Sequence, residues 1–151
     1  MGAHRGSRGA TGAAGTTRNV IAFGLPNVAA GDNATPASAT PVQAYVSGVS
    51  ALTTTGFVAT RAGSLVGLSA SLSGAAAGSN LIVGVYKNGT ILDALTIVTL
   101  ASGTSDTKKN GTFTAGAYTF VAGDVIDVRV RSGSGWSATT ADLAAFVEIT
   151  T

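Results

Sequence analysis

Downstream of Pro41 the chain places apolar side chains at every second position in short runs, and glycine or small polar clusters break the runs at roughly 8–12-residue intervals. Successive side chains of a strand point to opposite faces, so this period describes sheets with one dry and one wet face. Val66, Leu68, Ala70 and Leu72 share one face. Ile126, Val128 and Val130 share another while Asp127, Arg129 and Arg131 face away, and Leu143, Ala145, Val147 and Ile149 form a third inward row. The pattern predicts strands near 42–48, 55–60, 64–72, 80–87, 91–100, 112–120, 124–131 and 142–150. Helical potential is confined to a stretch around Thr139–Ala145 that lacks the length of a helix.

Turn chemistry agrees with this reading. Asn88-Gly89 separates Leu81–Lys87 from Thr90–Leu100, and a two-residue type I′ hairpin needs the positive φ that Asn and Gly adopt most readily. Asn110-Gly111 is expected to do the same before Thr112–Phe120. Both dipeptides also complete glycosylation sequons with Thr90 and Thr112, but in a protein made in a cytoplasm the hairpin reading prevails. Eight strands are what two Greek keys require. The expected fold is therefore all-β, a jelly-roll-like antiparallel β-sandwich of about eight strands with an extended N-terminal arm, ahead of an immunoglobulin-like sandwich. A chain of 151 residues needs one core only.

The first 41 residues read differently, as an extended basic arm and linker preceding a head at 42–151. Gly6, Gly9, Gly12 and Gly15 recur every third residue, yet four triplets without proline are too few for a collagen helix, so a flexible arm is expected. Arg18–Phe23 could form a strand, and turn residues follow as far as Pro36. Arg5, Arg8 and Arg18 all precede Asp32, the first acid. Of the 9 basic residues this leaves 6 against 7 acidic ones in the rest, so the net charge of +2 belongs to the arm. The start has neither an apolar leader segment nor the Ser or Thr at position 6 that myristoylation requires, and no run approaches the roughly 18 apolar residues of a membrane span. Synthesis in a host cytoplasm without membrane attachment is expected.

The inventory of reactive groups argues against an enzyme. The one histidine, His4, lies in the arm, where a mobile imidazole cannot hold catalytic geometry. Asp124 and Asp127, three apart on a strand, fall on opposite faces; Asp124 reads as a turn residue and Asp127 as a solvated group or partner of Arg129 or Arg131. Asp32, Asp106 and Asp142 each lack a second acid nearby for calcium, and no glycine run opens a helix for a phosphate. Neither metal nor cofactor is expected. The head is near neutral, with only Lys108-Lys109 clustered, so nucleic acid is not an expected partner either.

The segments Gly56–Leu65, Val85-Tyr86-Lys87-Asn88-Gly89-Thr90, Gly116-Ala117-Tyr118-Thr119-Phe120 and Val121–Val128, in this order and spacing, resemble the jelly-roll domains of the complement-head and tumour-necrosis-factor type. Many such domains occur in phage head-decoration, head-fibre and tail-fibre proteins. The resemblance spans Gly56 to Thr150. It implies a homotrimer packed about a threefold axis and attachment through an N-terminal segment.

Two functions follow as expectations. In the first, the protein decorates the outer shell of a virion as a homotrimer and stabilises it as a cement protein. Arg5, Arg8 and Arg18 then pair with carboxylates of the major capsid protein or another virion scaffold, and Val20, Ile21 and Phe23 serve as apolar anchors or an added strand. Deleting residues 2–23 is then expected to abolish particle binding and leave the head folded. In the second, the protein is a receptor-binding tip or fibre module whose loops 101–111 and 132–140 hold host glycans. A cellular adhesion or spore-surface protein of the same head type is a remoter reading. Trp136, the only tryptophan, reads either as a recognition residue in its glycine- and serine-rich loop or as a cap on one end of the sandwich. Charged residues make up 11% of the chain against roughly 25% in typical soluble proteins, and Ser and Thr must keep such a surface wet. With no cysteine for disulfides, additional stability is expected from assembly.

Overall fold

The computed structural model describes residues 17–28, 40–44, 56–103, 107–133, 135–138 and 140–151. Among these the chain is all-β, with strands β1 (Arg18–Leu25), β2 (Thr40–Ala44), β3 (Phe57–Val58), β4 (Gly63–Leu72), β5 (Leu81–Lys87), β6 (Thr90–Ile91), β7 (Ile97–Leu100), β8 (Lys108–Thr112), β9 (Thr119–Phe120), β10 (Val125–Ser132) and β11 (Leu143–Thr150). Every pairing is antiparallel. One sheet runs β8–β4–β11–β1, with β9 also on β4, and the other places β5 and β3 beside β10 with β6 and β7 on β5. Strand β2 joins them, since Thr40–Val42 pair with Val130–Val128 of β10 while Gln43 and Ala44 pair with Gly24 and Phe23 of β1.

Because β2 and β3 share β10, β6 and β7 share β5, and β8 and β9 share β4, the strands act as eight segments. The first pairs with the eighth, the second with the seventh, the third with the sixth and the fourth with the fifth. This nested wrapping is a jelly-roll sandwich.

The core lies between the sheets and consists of the inward rows. Leu143, Ala145, Val147 and Ile149 are at most 3% exposed, and they face Ile126, Val128, Val130, Val83 and Val85 from the other sheet. Full burial of each Val, Leu or Ile contributes roughly 1.5–3 kcal/mol, which makes this seam the main source of stability. The Asn88-Gly89 hairpin forms as expected, with φ of +51° and +81° between β5 and β6.

Three expectations change. Val66 does not share a face with Leu68, Ala70 and Leu72. The β4–β11 register shifts so that Gly67 opposes Glu148 and Leu65 opposes Ile149, which leaves Val66 as the extra residue of a bulge and turns Leu65 into the core. A one-residue slip reverses which side chains face inward. Asn110-Gly111 is not a hairpin turn but lies inside β8, paired with Ser69 and Leu68; the reversal ahead of β8 falls earlier, where Gly103 takes a φ of +73°.

The third change concerns the boundary at 41/42. Arg18–Leu25 is paired with β11 along its whole length, and Phe23 is 2% exposed in the core, so the sandwich begins at β1 rather than after Pro41. Alternation drives this, since Ile21, Phe23 and Leu25 all turn toward the other sheet and pack on the core. Removing residues 2–23 therefore strips β11 of most of one of its two partner strands and takes Phe23 out of the core instead of sparing the head. The truncated chain is expected to lose its cooperative thermal transition, followed by circular dichroism, and retention of that transition would show that β1 is dispensable.

Candidate interaction surface

The outward positions of β1, β11, β4 and β8 form one continuous face. Its rows are Val20, Glu148, Gly67 and Thr112, then Ala22, Phe146, Ser69 and Asn110, then Gly24, Ala144, Ser71 and Lys108. Phe146 stands at the centre and is 44% exposed, while Val20 in the neighbouring row is 65% exposed. The neighbours of the ring include Ala22, Ser69 and Ala144, with Glu148 two residues along the same strand, so most of the floor around the aromatic side chain is made of small residues. Hollows of about 250, 330 and 280 Å³ lie against it. The charged residues of this face are Arg18, Glu148, Lys108 and Lys109. Arg18 Nη1 donates to Glu148 Oε1 at 3.0 Å near one end, an exposed pair that contributes little by itself, and Lys108 and Lys109 sit near the other.

Outward residues of the second sheet have the opposite character. Arg129 Nε donates to Asp127 Oδ2 at 2.9 Å, and the same guanidinium stacks over the Tyr86 ring at 4.9 Å. Of the two readings of Asp127, solvated group or partner of Arg129 or Arg131, the structure has the second, with Arg129; the carboxyl is buried, and its Oδ1 has no hydrogen-bond partner. Burial pushes the Tyr86 phenol above its ordinary pKa, against the pull of Arg131 and Arg129.

At one end of the sandwich the Asn88-Gly89 hairpin is clasped to the 121–124 turn. Asn88 Nδ2 donates to Asp124 Oδ1 at 2.7 Å, Val125 N–H donates to Asn88 Oδ1 at 2.8 Å, and Val121 N–H donates to Asp124 Oδ2 at 2.9 Å. The Val121 and Asn88 donors hold the Asp124 carboxyl below its ordinary pKa. Asp124 is thus the turn residue that was expected, with both oxygens engaged in structure rather than available for acid–base work.

The residues singled out as arm anchors divide between two environments. Arg5 and Arg8 lie outside the described residues. Phe23 is core, Ile21 is half-buried against it, and Val20 and Arg18 belong to the outward face and its ion pair, so these four do not act as one segment. Trp136 packs against the core at the other end of the sandwich, and its indole N–H donates to the Val28 carbonyl at 2.8 Å. Its loop is tied down by Ser137 N–H to the Ala77 carbonyl at 3.1 Å and by Gly133 N–H to Ser79 Oγ at 2.9 Å.

The outward position of Phe146 is readable in the sequence. Once Leu143, Ala145, Val147 and Ile149 face inward, Ala144, Phe146 and Glu148 must face out. Among the described residues no three His, Cys, Asp or Glu side chains are grouped for a metal ion, and no helix is long and apolar enough to cross a membrane. No family model matches the chain, and no curated protein matches its sequence.

The clasp generates a test. Asp124 is more acidic in the folded chain than in the unfolded one. Its contribution is therefore complete above the ordinary aspartate range, near pH 4, and is lost as pH falls through the lower folded value. Replacing Asn88 by Ala removes the donor to Asp124 and the acceptor for Val125 N–H, and puts at positive φ a residue without the side-chain hydrogen bonds that let Asn hold that conformation. It should destabilise the fold by about 1–2 kcal/mol in urea unfolding and raise the Asp124 pKa read by NMR. An unchanged Asp124 titration in that variant would show that the clasp does not act on the carboxyl.

Proposed function

We propose that this chain is a structural module of a virus particle, a capsid decoration protein that binds the outer shell as a homotrimer. The observation that carries this reading is the β8–β4–β11–β1 face, where a half-exposed phenylalanine stands among Ala22, Ser69 and Ala144, with Glu148 beside it on β11. Exposed apolar patches bordered by polar groups mark protein contacts. Aromatic residues are enriched at the centres of such contacts, where they fill pockets on the partner. The hollows beside Phe146 suit the ring of a second copy, and in a threefold ring each subunit offers its ring to the next subunit's floor.

The N-terminal run supports the attachment role. Arg5 and Arg8 have no acid before Asp32, and guanidinium groups pair well with the carboxylates of a shell protein. The chain enters β1 at Arg18, on the rim of the Phe146 face, so a tether leading from the head departs beside the subunit contact. Shell stabilisation follows from mass action, because a ligand that binds only assembled shells shifts the equilibrium toward assembly. The glycan-binding alternative loses support from Trp136, whose only hydrogen-bond donor is engaged with the Val28 carbonyl.

The test pairs light scattering with cosedimentation on shells assembled without the protein. Wild type should run as a trimer, bind stoichiometrically and raise the shell's disruption temperature. Phe146→Asp should remain folded, because the ring is half-exposed in the single chain, but should run as a monomer and bind shells at least about tenfold more weakly through lost multivalency. A monomeric wild type would overturn the trimer, and trimers that ignore shells would overturn the decoration role.

A further inference from the structure

The same four residues occur twice in this chain and fold in two ways. Lys87-Asn88-Gly89-Thr90 makes the turn between β5 and β6, while Lys109-Asn110-Gly111-Thr112 lies in β8. Asparagine followed by glycine is chemically labile, because no Cβ keeps the glycine nitrogen away from the asparagine side chain. That nitrogen, once its proton has passed to a solvent base, attacks the asparagine Cγ. The Cγ–Nδ2 bond breaks, and Nδ2 leaves as ammonia with a proton from water. Water then opens the cyclic imide at either carbonyl, giving aspartate or, where the main chain is rerouted through the side chain, isoaspartate. The only co-reactant is water.

The two copies differ in what holds the attacking nitrogen. Phe113 N–H donates to the Val66 carbonyl at 2.9 Å and Leu72 N–H to the Thr107 carbonyl at 2.8 Å, so Thr107, Lys109, Gly111 and Phe113 are the residues of β8 that bond to β4. The Gly111 nitrogen is thereby committed to Leu68, and attack on Asn110 requires that the β4–β8 ladder open first. In the hairpin the ladder closes at Lys87 and Thr90, and the exposed Gly89 puts its N–H outside it.

What restrains Asn88 is its side chain. Nδ2 is held by Asp124 Oδ1 at 2.7 Å and Oδ1 by Val125 N–H at 2.8 Å, so the carboxamide must leave the clasp before Cγ can meet the Gly89 nitrogen. A side-chain rotation at an exposed turn is a far more frequent event than the opening of a strand. The product cannot return to the same place. An aspartate at 88 has no donor for Asp124 and sets a second carboxylate against it, and an isoaspartate adds a main-chain carbon to a turn of two residues.

We propose that Asn88 is a site of spontaneous deamidation in the folded protein, that its twin Asn110 is spared by the β4–β8 ladder, and that the product releases the clasp between the hairpin and the 121–124 turn. The site is remote from the Phe146 face and depends neither on the trimer nor on the decoration role.

The test ages the full chain in mildly alkaline buffer at physiological temperature. Trypsin, which cuts after Lys87 and Lys109, puts the two asparagines in separate peptides, and conversion adds about 1 Da to either in the mass spectrum. In urea the two sites, with identical flanking residues, should convert at rates within about twofold of each other. In the folded protein Asn88 should convert at least about tenfold faster than Asn110. Asp124→Ala should speed Asn88 by roughly three- to tenfold and leave Asn110 unchanged, so that Asn110 reports in the same sample whether the variant has merely unfolded. Asn88→Asp should fold and lower the midpoint of thermal unfolding by about 2–4 °C. Asn110 converting as fast as Asn88 in the folded protein would overturn the proposal. Equal acceleration of both sites by Asp124→Ala, or an Asn88→Asp variant as stable as wild type, would also overturn it.

Discussion

The eight-rung antiparallel ladder between Arg18–Leu25 and Leu143–Thr150 joins the two ends of the described chain, and the other strand pairs nest inside it. It places Phe23 opposite Ala145 and Ile21 opposite Val147, which completes the inward seam of the first sheet. It also places Val20 and Ala22 beside Phe146, so the candidate contact face does not exist until residues separated by more than a hundred positions have met. Topologies dominated by such distant pairings fold slowly, because loop-closure entropy is lost before any burial is gained.

Much of this was legible in the sequence, and the reasons are specific. The period of two in β10 and β11 is uninterrupted, so their inward rows were readable residue by residue, and Asn88-Gly89 announced its turn through backbone conformation alone. The failures occur where local chemistry has more than one use. Asn110-Gly111 has the composition of a hairpin and lies in a strand, since β4 provides a ladder that local preference does not describe. Val66 obeys the alternation on paper and falls at a bulge, which only the pairing with β11 reveals. Arg18–Leu25 was grouped with its glycine-rich neighbours because its burial depends on β11, at the far end of the chain. Asp127 could be read as solvated or as a partner of Arg129 or Arg131, and the choice stayed open because burial at an outward position depends on what Tyr86 and Arg129 do above it.

The two outward surfaces divide the labour of the sandwich. One sheet turns Asp127, Arg129 and Arg131 outward and arranges Asp127, Arg129 and Tyr86 into a packed group with one carboxylate oxygen unsatisfied. A buried ion pair of this kind gains little net stability over an apolar replacement, though removing one partner leaves the other charge stranded. The other sheet turns out glycine, alanine, serine and a phenylalanine. Charges occur on both surfaces, but only on the second sheet are they packed into a buried group; on the first, Arg18 pairs with Glu148 in the open.

The adjacency of Thr17 and Thr151 has a mechanical meaning. Because β1 and β11 run antiparallel and meet at that end, a pull applied between these two points peels the ladder one rung at a time, with each hydrogen-bonded pair bearing the load alone. A pull on residue 17 directed along the axis of β1 makes the rungs share the load in shear instead. The same strand is therefore a weak seam under one direction of force and a strong one under the other.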